Sequence, residues 1–304
     1  MQLTSTTATS PARLECVARF SAQSRRRGFT LVELLVVLGI IAVLVALLVP
    51  AAMAALNTAR RASIAFKVSQ LADGIEKYRA AHDDYPPSSR DVGAIQRHLR
   101  KCYPKITPVY FNATVAKLTD ASINGIDEGE ALVFWLSQVN KSATNPFPSL
   151  MTPGIAIPSP EAHYVFKETD LQDDDGDGFP SFVCREAKDT YFLYLDARSY
   201  DEFMDYSNAS SPAFAESRAV GEARPYFSDT IANSAATDAR QRYKLMNPTS
   251  FQIICAGQDG EFNLGFNDDD SDVKLFPSGL NYSNSDRDNI TNFSDGRRLM
   301  DNIP

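Results

Sequence analysis

From Leu34 to Val49 the chain has no polar side chain, and the wider run Phe29–Leu56 carries a single charged residue, Glu33. A helix needs roughly 20 mostly apolar residues to cross a bilayer's hydrocarbon core, so residues 29–56 are predicted to span a membrane. Arg25, Arg26 and Arg27 stand directly ahead of the run, and no Lys or Arg lies inside it. The bias of basic residues towards the cytoplasmic side then leaves the N-terminus in the cytoplasm.

Glu33 is the residue this span has to account for. A charge near the centre of a spanning helix costs roughly 2.5–3.5 kcal/mol on insertion scales. A position near the cytoplasmic end lowers that cost without removing it. The carboxylate needs a cation, and the apolar run supplies none. A cut between Gly28 and Phe29 would create an α-ammonium about one helical turn away. Glu33 would then answer that amine in its own chain, or that of a staggered neighbour.

The stretch Arg25-Arg26-Arg27-Gly28-Phe29-Thr30-Leu31-Val32-Glu33 resembles the class III signal of type IV pilins and type II secretion pseudopilins. The resemblance makes Gly28 the residue before the scissile bond and Phe29 the first mature, N-methylated residue. Glu33 falls on the family's fifth-position glutamate. Pro50 falls on a proline that bends or loosens the stem helix. The family implies several partners: a prepilin peptidase, an assembly ATPase with its inner-membrane platform, and copies of this or other pilin-like subunits. It also implies an inner-membrane precursor, single-pass with its head in the periplasm, that passes into a periplasmic or extracellular fibre.

The chain has 304 residues and a formal net charge of −8. The expected organisation is a leader (1–28), a transmembrane stem (29–56), an amphipathic stem (57–84) and a head (85–304). The leader holds five arginines against Glu15, so its removal takes the mature chain to about −12. Nucleic-acid binding needs a basic face, so no nucleic-acid partner is expected. Cys102, Cys184 and Cys255 remain after the leader. An oxidising exterior permits one disulfide among them, with no pairing singled out.

Beyond Pro50, Ile64, Val68, Leu71, Ile75 and Tyr78 repeat at helical spacing and predict an amphipathic continuation of the stem. His82-Asp83-Asp84-Tyr85-Pro86-Pro87 ends it, because proline disfavours helix in the residue before it. This junction resembles the "D-x-x-Y-P" boundary of major pseudopilins. Ser89 or Asp91 is expected to cap a short helix burying Val92, Ile95, Leu99 and Cys102, with His98 off that face and exposed. Residues 103–127 read as loop with weak strand. A further helix over Glu128–Val139 is expected to bury Leu132, Trp135, Leu136 and Val139. Ala162–Lys167, Thr190–Asp196 and Phe251–Ala256 read as strands, and 208–223 as an exposed excursion. The fold class is α+β: a long N-terminal stem helix packed on a C-terminal head with a small antiparallel sheet and long loops.

Two acidic stretches are candidates for calcium. Asp173, Asp175 and Asp177 alternate ahead of Gly178, a D-x-D-x-D-G pattern whose oxygens converge in a tight turn. Cys184 stands where an EF-hand would place its bidentate glutamate, so a shorter loop is expected, with Glu186 as a late ligand. The second stretch runs from Gln258-Asp259-Gly260 through Asp268 and Asp270 to Asp288. It resembles the C-terminal calcium loop of type II secretion major pseudopilins, with Asp259 in the "G-x-D-G" turn and Asp288 in the later acid-bearing element.

No nucleophile elbow, P-loop or H-E-x-x-H motif occurs, and catalysis is not expected. The reading is a fibre-forming pseudopilin or pilin. The alternative is a membrane-tethered or released extracellular binding module, for glycans, that uses the prepilin signal without polymerising.

Overall fold

The computed structural model describes residues 28–88, 91–120, 125–137, 142–151, 162–201, 223–262 and 273–304, without the side chains of 149 and 151. The chain divides into two compact units, Met1–Ala52 and Met53–Pro304.

In the first unit, helix α1 (Leu31–His82) begins directly after Gly28–Thr30. Its apolar side chains through Val49 are exposed on every side, as a helix meant for lipid or for other helices must be. The helix runs through Pro50 without a break, although the proline removes one backbone donor from the ladder.

In the second unit the rest of α1 is amphipathic. Ile64, Val68, Leu71, Ile75 and Tyr78 form its buried stripe, as their spacing predicts. Burying each of the aliphatic members contributes about 1.5–3 kcal/mol. Gly74 completes the stripe, since a Cβ there would press on Tyr164 Cβ at 3.3 Å. Glu186 accepts from Ser63 Oγ and Lys67 Nζ, both at 2.6 Å, and ties the head's β-region to this part of the helix. Glu186, the expected late ligand, is thus engaged with α1.

The helix stops at His82, and Pro86–Ser88 dock beneath the sheet that follows. Tyr194 donates to Pro86 O at 2.8 Å, and Asp196 N–H to Ser88 Oγ at 2.8 Å. Helix α2 (Val92–Cys102) is capped by Asp91, which accepts from Ala94 N–H. Ile95 and Leu99 are fully buried, while Val92 is about half exposed. His98 is buried too, contrary to the expectation of an exposed residue. Tyr78 and Trp135, from α1 and from the later helix α4, cover the face that spacing within α2 leaves open.

A helix also replaces the loop expected after residue 103. Helix α3 (Pro108–Leu118) starts with Pro108 in its first turn, where the missing N–H is no loss. Helix α4 (Glu130–Ser137) is buried on all sides, Trp135 completely so. Val139 lies outside the described residues. Ala162–Lys167 forms no strand: His163 and Tyr164 donate to Leu136 O at the end of α4 instead.

Three small three-stranded sheets complete the head. Strands β1 (Leu171–Gln172), β2 (Ser181–Cys184) and β3 (Thr190–Tyr191) form the first, in that order. The second has the order β4 (Leu193–Asp196), β7 (Phe251–Cys255), β9 (Ile290–Thr291), paired antiparallel with Leu193 opposite Ile254. In the third, β5 (Phe227–Ile231) lies between β6 (Tyr243–Leu245), antiparallel, and β8 (Leu275–Phe276), parallel. The short helix α5 (Ala239–Arg242) leads into β6. The long helix followed by small, mainly antiparallel sheets is the α+β arrangement expected. Cys102, Cys184 and Cys255 are free thiols, so the permitted disulfide is not formed. Most of the excursion at 208–223 lies outside the described residues.

Candidate functional site

Gly28 and Phe29 precede the first turn of α1 and are exposed, with nothing within 4 Å of a Cβ built on Gly28. Thr30 and Glu33 form a reciprocal cap. Thr30 N–H and Thr30 Oγ1 donate to Glu33 Oε2 at 2.9 and 2.8 Å, and Glu33 N–H donates to Thr30 Oγ1 at 3.2 Å. This is the T-x-x-E capping box, which satisfies donors that the first turn of any helix leaves free. Reasoning from charge alone missed Thr30, although the four-residue pattern is legible in sequence. Both donations go to Oε2. Oε1 of Glu33 receives neither of them.

The loop Asp173–Phe179 is shaped by its own carboxylates. Asp173 accepts from Gly176 N–H through Oδ1 (2.8 Å) and from Gly178 N–H through Oδ2 (3.1 Å). Gly176 and Gly178 both take positive φ here, which glycine adopts without strain. Asp177 accepts from Phe179 N–H at 2.7 Å, and Asp174 receives the Tyr191 hydroxyl. Asp175 and Asp177 turn towards the start of α4, where they meet Glu130. One carboxylate oxygen from each of the three lies within 4.8 Å of the other two. Like charges at that separation repel by about 3 kcal/mol per pair at an effective dielectric of about 20. Burial, reinforced by the charges of Asp175 and Asp173, pushes the Asp177 carboxyl up to about 7.

Glu130 is held from the other side by a second capping box. Asp127 Oδ1 accepts from the N–H groups of Gly129 and Glu130, and Glu130 Oε2 accepts from Asp127 N–H at 3.0 Å. Glu130 went unnoticed as a site residue because nothing in its own neighbourhood signals the loop that folds against it.

Asp259 and Asp288 are also brought together. Asp288 Oδ2 accepts from Gln258 N–H (2.6 Å) and Asp259 N–H (3.2 Å), and Arg298 stands 3.7 Å from Oδ1. Gly257, at φ +70°, allows this approach, since a Cβ there would lie 2.2 Å from Asp288 O. Burial first, then the charges of Asp288 and Glu261, push the Asp259 carboxyl up to about 6. Asp268 and Asp270 lie outside the described residues.

All three histidines gather at the end of α1. The Tyr78 hydroxyl bonds His98 Nε2 at 2.7 Å and Tyr103 at 3.0 Å. His82 and His163 pack on the Tyr78 ring with centroids at 4.4 and 5.2 Å. Asp84 accepts from His98 Nδ1, Lys101 and Arg198. Burial would raise the Asp84 carboxyl, but those donors outweigh it and hold the group well below the usual carboxylate range. Cys102 approaches His98 Nδ1 at 3.6 Å, yet two cations already answer Asp84, which leaves the group little to offer a metal.

Comparison with known proteins agrees with the N-terminal geometry. Residues 23–49 match the prokaryotic N-terminal methylation motif. A fimbrial protein of Neisseria meningitidis serogroup B is 26% identical over 122 residues, covering 38% of this chain and 69% of the relative. No solved structure matches. The matched motif spans Gly28, Phe29 and Glu33 and runs into a helix long and apolar enough to cross a membrane, and with the fimbrial relative it supports a pilin-like structural subunit of the type IV pilin kind.

Proposed function

We propose that the chain is cleaved after Gly28, N-methylated at Phe29, and polymerised through its apolar stem into a type II secretion pseudopilus or a related type IV pilus-like fibre. The prepilin peptidase acts first, on a precursor held in the inner membrane by residues 29–56 with its head in the periplasm. An assembly ATPase and its membrane platform then lift subunits out of the bilayer. The chain itself performs no catalysis.

The observation that carries the proposal is Glu33: an acid capped through one oxygen, inside a span with no other charge. The cap lowers the cost of the carboxylate but leaves its charge unneutralised. A staggered neighbour's Phe29 amine neutralises it when the stems bundle, and the second oxygen accepts that amine without breaking the Thr30 contacts. Pro50 loosens the ladder midway and lets packed stems adjust. The Tyr85-Pro86 boundary and the Asp259–Asp288 arrangement favour the pseudopilus over a surface pilus.

The test is Glu33→Leu, with cleavage and fibre yield measured in the same cells. The proposal expects processed subunit to accumulate in the membrane without sheared fibres. Normal fibres from this variant, or processed wild-type protein that never forms any, would overturn it.

A further inference from the structure

We propose that Glu130, Asp175 and Asp177 form a calcium site that joins the Asp173–Phe179 loop to the start of α4. The proposal concerns the head alone, and failure of the assembly reading would leave it standing.

Asp177 carries the argument. The residue is 6% exposed, and its Oδ2 is buried without a hydrogen-bond partner among the described residues. The other oxygen, Oδ1, already accepts from Phe179 N–H. Lys117 donates to the backbone carbonyl of Asp177 at 2.7 Å. A buried carboxylate oxygen left in this way costs stability unless something outside the chain meets it. One carboxylate oxygen each from Asp177, Asp175 and Glu130 lies within 4.8 Å of the other two.

The dimensions suit a hard divalent cation of calcium's size. Calcium binds oxygen at about 2.3–2.6 Å, so ligand oxygens on opposite sides of one ion lie up to about 4.6–5.2 Å apart. Three oxygens mutually within 4.8 Å therefore fit around one ion. The donors are all carboxylate, without His or Cys, which favours calcium over zinc or copper. Waters complete the shell, as they do in calcium loops whose protein ligands are few.

This site differs from a simple reading of D-x-D-x-D-G. Asp173 is the hinge of the turn, because both its oxygens are taken by loop N–H groups. The third protein ligand comes from α4, presented by the Asp127–Glu130 capping box. The ion therefore ties together two segments more than 40 residues apart in sequence and holds Phe179 against Phe134, where the rings lie 5.8 Å apart.

The experiment uses the full chain in detergent, stripped of metal and dialysed against about 1 mM calcium, the range in which extracellular calcium modules bind. Bound calcium is counted by atomic emission, and melting is followed in calcium and in chelator. Glu130→Gln preserves the cap, because glutamine serves equally at that position, and Asp177→Asn preserves the acceptor for Phe179. Each variant is expected to bind one ion fewer per chain than wild type, and the double variant no fewer than either single one. In chelator both should melt at or above wild type, since each removes a repelled charge, while calcium should raise the melting temperature of wild type more than theirs. Wild type that binds no calcium, or variants that bind as many ions as wild type, would overturn the site.

Discussion

Thr30 donates twice to one oxygen of Glu33, through its backbone N–H at 2.9 Å and its hydroxyl at 2.8 Å. The acid that looks stranded in an apolar run is therefore also the residue that starts the helix. Capping and charge are separable by mutation. Glu33→Gln retains the cap and removes the charge, so we expect cleaved subunits and fibre yield close to zero. Thr30→Val removes the hydroxyl contacts and keeps the charge. It should cost about 1 kcal/mol at the helix start and leave fibres forming. Shearing and electron microscopy of both strains distinguish the two roles, and equal fibre loss would deny them separate parts.

The histidine cluster predicts acid sensitivity of the head. Burial first, then His163 and His98, pushes the half-buried His82 imidazole down to about 4 from its ordinary 6.5. The folded chain thus binds this proton less readily than the unfolded one. The stability concerned is whole above about pH 6.5 and is lost progressively as pH falls towards 4. Burial lowers His98 and His163 in the same direction, with Asp84 opposing at His98 and Lys77 reinforcing at His163. The His82 shift alone corresponds to at most about 3 kcal/mol, and solvent screening of a half-exposed ring reduces it to about 1–2 kcal/mol. Melting curves at neutral pH and near pH 4.5 should therefore converge partly in His82→Gln. An unchanged gap would contradict the assignment.

Lys274 and Asp286 form an ion pair 2.5 Å long whose side chains are almost wholly buried. Tyr226 adds its hydroxyl to Asp286 at 2.9 Å, and Ser283 its N–H at 2.8 Å. Removing one member of a buried ion pair is strongly destabilising, so Asp286→Ala should destabilise the head by about 3–5 kcal/mol in urea denaturation. Arg79→Ala breaks the exposed pair with Glu76 and should cost less than about 1 kcal/mol. Comparable losses for the two would show that burial does not set the difference.

What could be read in advance follows the range of the interactions. The stem stripe from Ile64 to Tyr78 was legible because helical periodicity is local, and Asp91 because a cap acts within one turn. His98 was misjudged because the residues that bury it, Tyr78 and Trp135, lie on other helices. Helix α3 was missed because Val109, Tyr110, Phe111, Thr114 and Val115 carry weak helix propensity, while Thr107-Pro108 supplies the start that its context permits. The strand expected at Ala162–Lys167 gave way to bonds with Leu136 O, an acceptor that the end of α4 leaves free. The acidic loop was visible as a motif, but Glu130 required the fold to bring it there.

Glu33 has an amine to meet only if the mature chain begins at Phe29. Intact-mass and N-terminal peptide mass spectrometry on protein from membranes and from sheared fibres reads this directly. We predict a chain that starts at Phe29 and carries one extra methyl on its α-amine. A chain that retains Arg25–Gly28, or one that starts at any other residue, would leave Glu33 without the amine assigned to it and contradict the account.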